Sequence, residues 1–117
     1  MRDCSGAPNC VCSTMPAGLP HAIEPFRFPA GCDATAAWTR LVEILERIPR
    51  LRIVEQTEDS LRAECRTRVF RFVDVLEFEL LADESLIHVR SESQTGYWDL
   101  GVNRRRMEEI RHLWDEV

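Results

Sequence analysis

Residues 76–93, LEFELLADESLIHVRSES, decide the fold, because apolar side chains recur in them at every second position. Leu76, Phe78 and Leu80 alternate with two glutamates, which predicts a β-strand with one buried face. The polar residues 82–85 predict a turn, and residues 86–93 predict the next and last strand. Together they predict an antiparallel hairpin.

A second hairpin is predicted just before the first one. Leu51 and Ile53 begin a strand, residues 58–60 form a polar turn, and Leu61, Ala63 and Cys65 then alternate with charged residues. The two hairpins together predict a four-stranded antiparallel meander. Residues 66–74 either extend the second strand or form a wide connection, so the side chains of residues 69–72 are left unplaced.

Two amphipathic helices flank the meander. Asp33 is a predicted N-cap for a helix that runs to Ile48, where Pro49 ends it. Asn103 is the predicted N-cap of a closing helix, with Val102 placed to pack on Met107. The fold class is therefore α+β, a two-layer sandwich with both helices on one face of the sheet.

Residues 1–32 are rich in proline and glycine and predict an irregular arm. Ile23, Phe26 and Phe28 are apolar enough to attach this arm to the rest of the molecule. The predicted organisation is therefore an arm, residues 1–32, packed on an α+β domain, residues 33–117.

Composition excludes several classes of protein. The chain has 117 residues, a formal charge of -5 and an apolar fraction of 44%, which indicates one ordinary globular domain without a nucleic-acid footprint. No apolar run is long enough to span a bilayer and no signal peptide is recognised, so a cytoplasmic protein is expected. Every basic residue is arginine, which excludes Schiff-base lysines and the lysine-containing phosphate loop.

The sequence NRRR at 103–106 starts the closing helix with cations, which oppose the helix dipole. A bound anion would relieve this, because arginine and free backbone N–H groups both suit phosphate or carboxylate. The alternative is that Asp99, Glu108 and Glu109 neutralise the arginines as surface ion pairs.

The loop 90–101 leads into that helix. It contains two glycines and is dense in hydrogen-bonding side chains. It predicts either a binding rim or a set of turns whose glycines and serines serve only the local backbone. The candidate ligand-binding residues are Arg90, Ser91, Ser93, Asp99, Asn103, Arg104 and Arg106.

The arm carries Cys4, Cys10, Cys12 and Cys32. Their spacing does not match the paired ligands of structural zinc sites, so neither a metal nor another cofactor is predicted. Reduced thiols are expected in the cytoplasm, with a thiol or metal switch as the alternative.

An enzymatic alternative rests on the polar face of the sheet. Glu64 and Glu77 are candidate acid and base, and Arg90 is a candidate orienting group. Cross-strand ion pairs explain the same charges without a ligand. The three histidines have no spacing that implies a shared site.

Several short segments occur in the same order as in a known family. They are residues 8–11 (PNCV), 23–25 (IEP), Trp38, 89–93 (VRSES), 99–104 (DLGVNR) and Arg106. In this respect the sequence resembles the domain-of-unknown-function 1499 family. The resemblance implies no activity or cofactor, and it sets Arg90, Ser91, Asp99, Asn103, Arg104 and Arg106 within the family signature. Cys12 stands where the family pattern has serine.

The leading hypothesis is a non-enzymatic binding or accessory module. Its site would be the loop 90–101 with the start of the closing helix, and its partner a small anionic ligand or an acidic segment of another protein. No membrane span and no nucleic acid are expected.

Overall fold

An antiparallel sheet with two helices forms the molecule, and the computed structural model describes residues 1, 3–4, 9–67, 72–93 and 101–116. A short 3-10 turn, Ala82–Glu84, joins the last two strands. The strands are β1 Cys10–Cys12, β2 Phe26–Arg27, β3 Leu51–Gln56, β4 Ser60–Arg66, β5 Val73–Leu81 and β6 Leu86–Ser93, and the helices are α1 Ala34–Glu46 and α2 Val102–Asp115.

The α+β class with an antiparallel sheet and two helices is confirmed, but the predicted strand number is wrong. The sheet has six strands in the order β1-β6-β5-β4-β3, with β2 also pairing with β6. The two added strands come from the arm, which is therefore not wholly irregular. They are 3 and 2 residues long, too short to give a period in the sequence.

Helix α1 begins where predicted. The Asp33 side chain accepts a hydrogen bond from the Ala36 N–H at 2.8 Å, which satisfies one of the free donors of the first turn. The helix ends at Glu46, before Pro49, and buries Ala37, Trp38 and Leu41 against the sheet.

Helix α2 begins differently from the prediction. The N-cap is Gly101, whose φ of 77° lies in the left-handed region that favours glycine and which has no side chain to cap the first turn. Asn103 is the second helical residue and is fully buried. Its side-chain amide faces the sheet and does not cap the helix. The predicted cap at Asn103 is therefore wrong.

Alternation along the strands gives the sheet an inner face toward the helices and an outer face. One inner row runs Cys65, Asp74, Ser93 across β4, β5 and β6. The matching outer row, Arg62, Glu77, Arg90, continues to Cys12 on β1. Neighbouring residues of one strand therefore lie on opposite sides of the molecule.

The arm packs on the helices and the inner face. Phe26 is fully buried, and Ile23 and Phe28 pack against the same core. The boundary between residues 1–32 and 33–117 stays a prediction. Within the described ranges, no helix is long and apolar enough to cross a membrane.

Candidate functional site

A group of buried polar side chains lies between the start of α2 and the inner face of the sheet. We call it the helix-start cluster, and it consists of Cys65, Asp74, Ser91, Asn103 and Arg106. Buried polar groups are costly unless they are hydrogen-bonded, so a concentration of them at one end of a small core is a candidate site.

Asn103 is the hub of this cluster. Its side-chain oxygen accepts hydrogen bonds from Ser91 Oγ and, at 3.3 Å, from Arg106 Nη1. Its Nδ2 donates to the Asn9 carbonyl at 3.0 Å. One amide thus joins α2, β6 and the residue before β1.

Arg106 and Asp74 form a buried ion pair. Arg106 Nη1 donates to Asp74 Oδ2 at 2.7 Å, and the two side chains are 9% and 1% exposed. The other carboxylate oxygen, Asp74 Oδ1, is buried and receives no hydrogen bond from any described residue. The pair is therefore only partly satisfied, which is unusual for a buried carboxylate.

Cys65 lies opposite Asp74 on the neighbouring strand and is 3% exposed. Burial raises the pKa of its thiol, and the nearby Arg106 guanidinium partly opposes this effect. The thiol is therefore protonated at neutral pH and is a poor nucleophile.

The raised pKa of Cys65 predicts a loss of stability in alkaline solution. Above about pH 8.5 the unfolded thiol ionises while the native thiol keeps its proton, so the free energy of unfolding falls as the pH rises through the native pKa. Urea titrations between pH 7 and 10 should show a steeper decline in the wild type than in Cys65→Ala. Parallel declines would contradict this prediction.

The structure divides the predicted site residues among three places. Ser91, Asn103 and Arg106 meet in the helix-start cluster, and Ser93 lies beside Asp74 in the same inner row. Arg90 is on the outer face, because it alternates with Ser91. Asp99 and residues 94–100 of the predicted rim lie outside the described residues.

Arg104 contacts a third region, the arm. Its Nη2 donates to the carbonyl of Pro20 and, at 3.2 Å, to the carbonyl of Ala22. Arg104 and Arg106 are two positions apart, so they point to different sides of the helix and have different partners. Among the described residues no carboxylate forms an ion pair with Arg104.

Arg90 is held on the outer face between two glutamates. Its Nη1 lies 3.2 Å from Glu77 Oε1 and its Nη2 lies 3.1 Å from Glu92 Oε2, while the side chain is only 3% exposed. Glu64 lies 3.8 Å from Arg52. Of the residues of the enzymatic alternative, Glu77 and Arg90 thus pair with each other, whereas Glu64 pairs with Arg52.

Cys4 and Cys10 form a disulfide bond, which the expectation of reduced thiols missed. Cys12 and Cys65 are buried free thiols, and Cys32 is half-buried. In the described part of the chain no three potential ligands come close enough to hold a metal ion.

Sequence reasoning missed Asp74, which completes the ion pair with Arg106. A signal was present: counting back in twos from Leu80 through Phe78 and Leu76 reaches position 74 on the inner face. A carboxylate at such a position needs a partner. Asn9 was also missed, because it acts through its backbone carbonyl, which no sequence pattern identifies.

The fold and the cluster define a small α+β domain with a buried polar centre between its last helix and its sheet. The chain belongs to the family described as "Protein of unknown function (DUF1499)", whose model matches residues 1–113. This confirms the resemblance found in the sequence. A search of curated proteins gave no match.

Proposed function

We propose that the protein is a non-enzymatic binding module that holds a small anion at the helix-start cluster. The observation that carries this proposal is the partly satisfied Asp74–Arg106 pair. A guanidinium has five N–H donors, and the bonds of Arg106 to Asp74 and Asn103 both come from Nη1. The ligand would place an anionic oxygen against the other donors.

Asp74 adds a requirement for the ligand. Because Oδ1 of Asp74 has no donor among the described residues, the ligand should also carry an O–H or N–H group that reaches it. Hydroxycarboxylates and singly protonated phosphates combine both features. A carboxylate without such a group would accept hydrogen bonds from Arg106 but would leave Asp74 Oδ1 without a donor.

The charge of Arg104 supports an anionic ligand. Its partners in the arm are neutral carbonyl groups, which orient the guanidinium without cancelling its charge. The positive end of the α2 dipole adds to the same field. A carboxylate side chain of a partner protein would be attracted in the same way, with Ser93 and Asp99 of the predicted rim close in sequence.

The enzymatic alternative has weaker support. The nearest approach to a nucleophile and base in the described residues is Ser13 Oγ, which lies 2.9 Å from His88 Nδ1. Ser13 Oγ also accepts from the Val89 N–H at 2.8 Å and is mostly buried, so it links β6 to the end of β1. Glu64 and Glu77 are each engaged with an arginine.

We expect malate to bind about tenfold more tightly than succinate, from which it differs by one hydroxyl group. A hydrogen bond to a charged group contributes about 1.5–3 kcal/mol when it is completed in a buried site. Asp74→Asn should remove this preference, because its amide donates where the carboxylate accepted. Isothermal titration calorimetry measures the ratio within each protein, with inorganic phosphate as a third probe.

Two arginines of the same helix, Arg104 and Arg111, provide a matched test of how much the local charge contributes to binding. Arg104→Gln should weaken malate binding about threefold to tenfold, since it removes a charge near the site. Arg111→Gln makes the same change in net charge and also removes bonds to arm carbonyls, those of Glu24 and Pro25, but two turns farther along. Equal weakening by both variants, or no binding of any probe, would overturn the proposal.

A further inference from the structure

The outer face of the sheet is covered where β1 meets β6. Cys10 pairs with Glu92, and Cys12 pairs with Arg90, so all four side chains lie on this face. Cys10, Cys12 and Arg90 are at most 3% exposed although both helices pack on the other side. Another part of the chain must therefore cover them.

Cys4 supplies part of this covering. Cys4 is bonded to Cys10, and the two pack with Cys12 and Met15 in a small cluster separate from the main core. Thr14 Oγ1 donates to Asp3 and lies 3.6 Å from Cys12 Sγ. We call Asp3 and Cys4 the cover.

The disulfide is the strongest attachment of the cover. The Asp3–Thr14 hydrogen bond and the ion pair of the Met1 amino group with Glu79 are exposed, and such contacts contribute little. By contrast, β1 is held independently of the cover. It pairs with β6, and the Cys12 N–H donates to the His21 carbonyl at 2.8 Å.

Beside Cys12 on the outer face lies a charged centre that is not fully paired. Arg90 contacts Glu77 and Glu92 through its two terminal nitrogens, but its Nε is buried and has no hydrogen-bond partner among the described residues. A free thiol, Cys12, lies in the adjacent position of the same row. Because Cys4 packs on Cys12, removal of the cover would expose this thiol to solvent.

We propose that the Cys4–Cys10 disulfide is a redox latch, whose reduction by a dithiol opens the cover and exposes Cys12. A thiolate of the dithiol attacks the sulfur of Cys4, the more exposed of the two, and Cys10 leaves as a thiolate that takes a proton. The second thiol then displaces Cys4. Cys4 and Cys10 end as thiols and the dithiol ends as a disulfide.

The latch makes the outer face respond to the redox state of the surroundings. In an oxidising compartment the bond persists and the cover is closed, whereas the cytoplasm would keep both thiols reduced and the cover open. The expected cytoplasmic location therefore corresponds to the open state. This regulation is separate from the anion site, which lies on the inner face.

Three free thiols serve as reporters of opening. Cys12 lies under the cover, Cys65 lies on the inner face, and Cys32 is half-buried outside both. The experiment compares alkylation by iodoacetamide in the oxidised wild type and in the Cys4→Ser/Cys10→Ser variant, with each cysteine followed by peptide mass spectrometry. Each thiol is compared only with itself, so intrinsic differences in reactivity among the three cysteines cancel.

We expect Cys12 to react at least tenfold faster in the variant, while the rates of Cys65 and Cys32 stay unchanged. Wild type reduced with dithiothreitol should behave as the variant does, and Cys32→Ser should leave Cys12 protected. Equal acceleration of Cys12 and Cys65 would show that the bond stabilises the whole fold instead. Continued protection of Cys12, or five free thiols in the oxidised protein after denaturation, would equally overturn the latch.

Discussion

Replacement of Arg106 by alanine is expected to lower the free energy of unfolding by about 3–5 kcal/mol. The substitution leaves the Asp74 carboxylate, which is 1% exposed, without the only cation that contacts it among the described residues. It also removes one of the donors to Asn103. Urea unfolding followed by circular dichroism measures the change, and an unaltered m-value would show that the native fold is kept.

A double-mutant cycle separates the ion pair from the packing of the arginine. Because the penalty comes from an isolated buried charge, adding Asp74→Ala to Arg106→Ala should recover part of the lost stability. Arg52→Ala is the matched control, since it breaks an exposed pair with Glu64 and should cost less than about 1 kcal/mol. A loss in Arg106→Ala no larger than this control would contradict the prediction.

Phe26→Ala is expected to cost about 3–5 kcal/mol, although the residue belongs to the arm. Its ring is fully buried, with ring centroids 6.5 Å from Phe78 and 5.5 Å from Trp114. The Arg111 guanidinium lies 4.6 Å from the same ring. Deleting it removes an aromatic contact between the sheet and α2 and leaves a cavity that these neighbours fill only partly.

The loss in the free energy of unfolding should depend on how much side-chain volume is removed at position 26. Phe26→Leu keeps most of the apolar volume and should cost about 1–2 kcal/mol. Leu19→Ala alters an exposed residue of the same arm and should change stability by less than about 0.5 kcal/mol. If Phe26→Ala resembled Leu19→Ala, the arm would not be part of the core.

The two hairpins could be predicted, because apolar and polar residues alternate within each of their strands. Leu61 and Ala63 of β4 and Leu76 and Phe78 of β5 all lie on the inner face, as their alternation indicated. The arm strands could not be predicted, because β1 and β2 are short segments that pair with a strand more than fifty residues away. Local propensity contains no such information.

The candidate site was predicted in part. Ser91, Asn103 and Arg106 do come together, but Arg90 was assigned to the same site although alternation places it on the opposite face. The same rule that gave the strands would have separated Arg90 from Ser91. The part played by Asn103 depends on a tertiary contact that overrides its preference for helix ends.

The arm is held through its main chain as well as through its apolar side chains. Arg104 and Arg111 bind four of its peptide carbonyls, and Trp114 Nε1 binds a fifth, that of Arg27. Peptide carbonyls are the same whatever the side chain, so these bonds persist when an arm residue that supplies one of them is substituted. They depend instead on the arginines of the helix, whose forked shape a lysine does not reproduce.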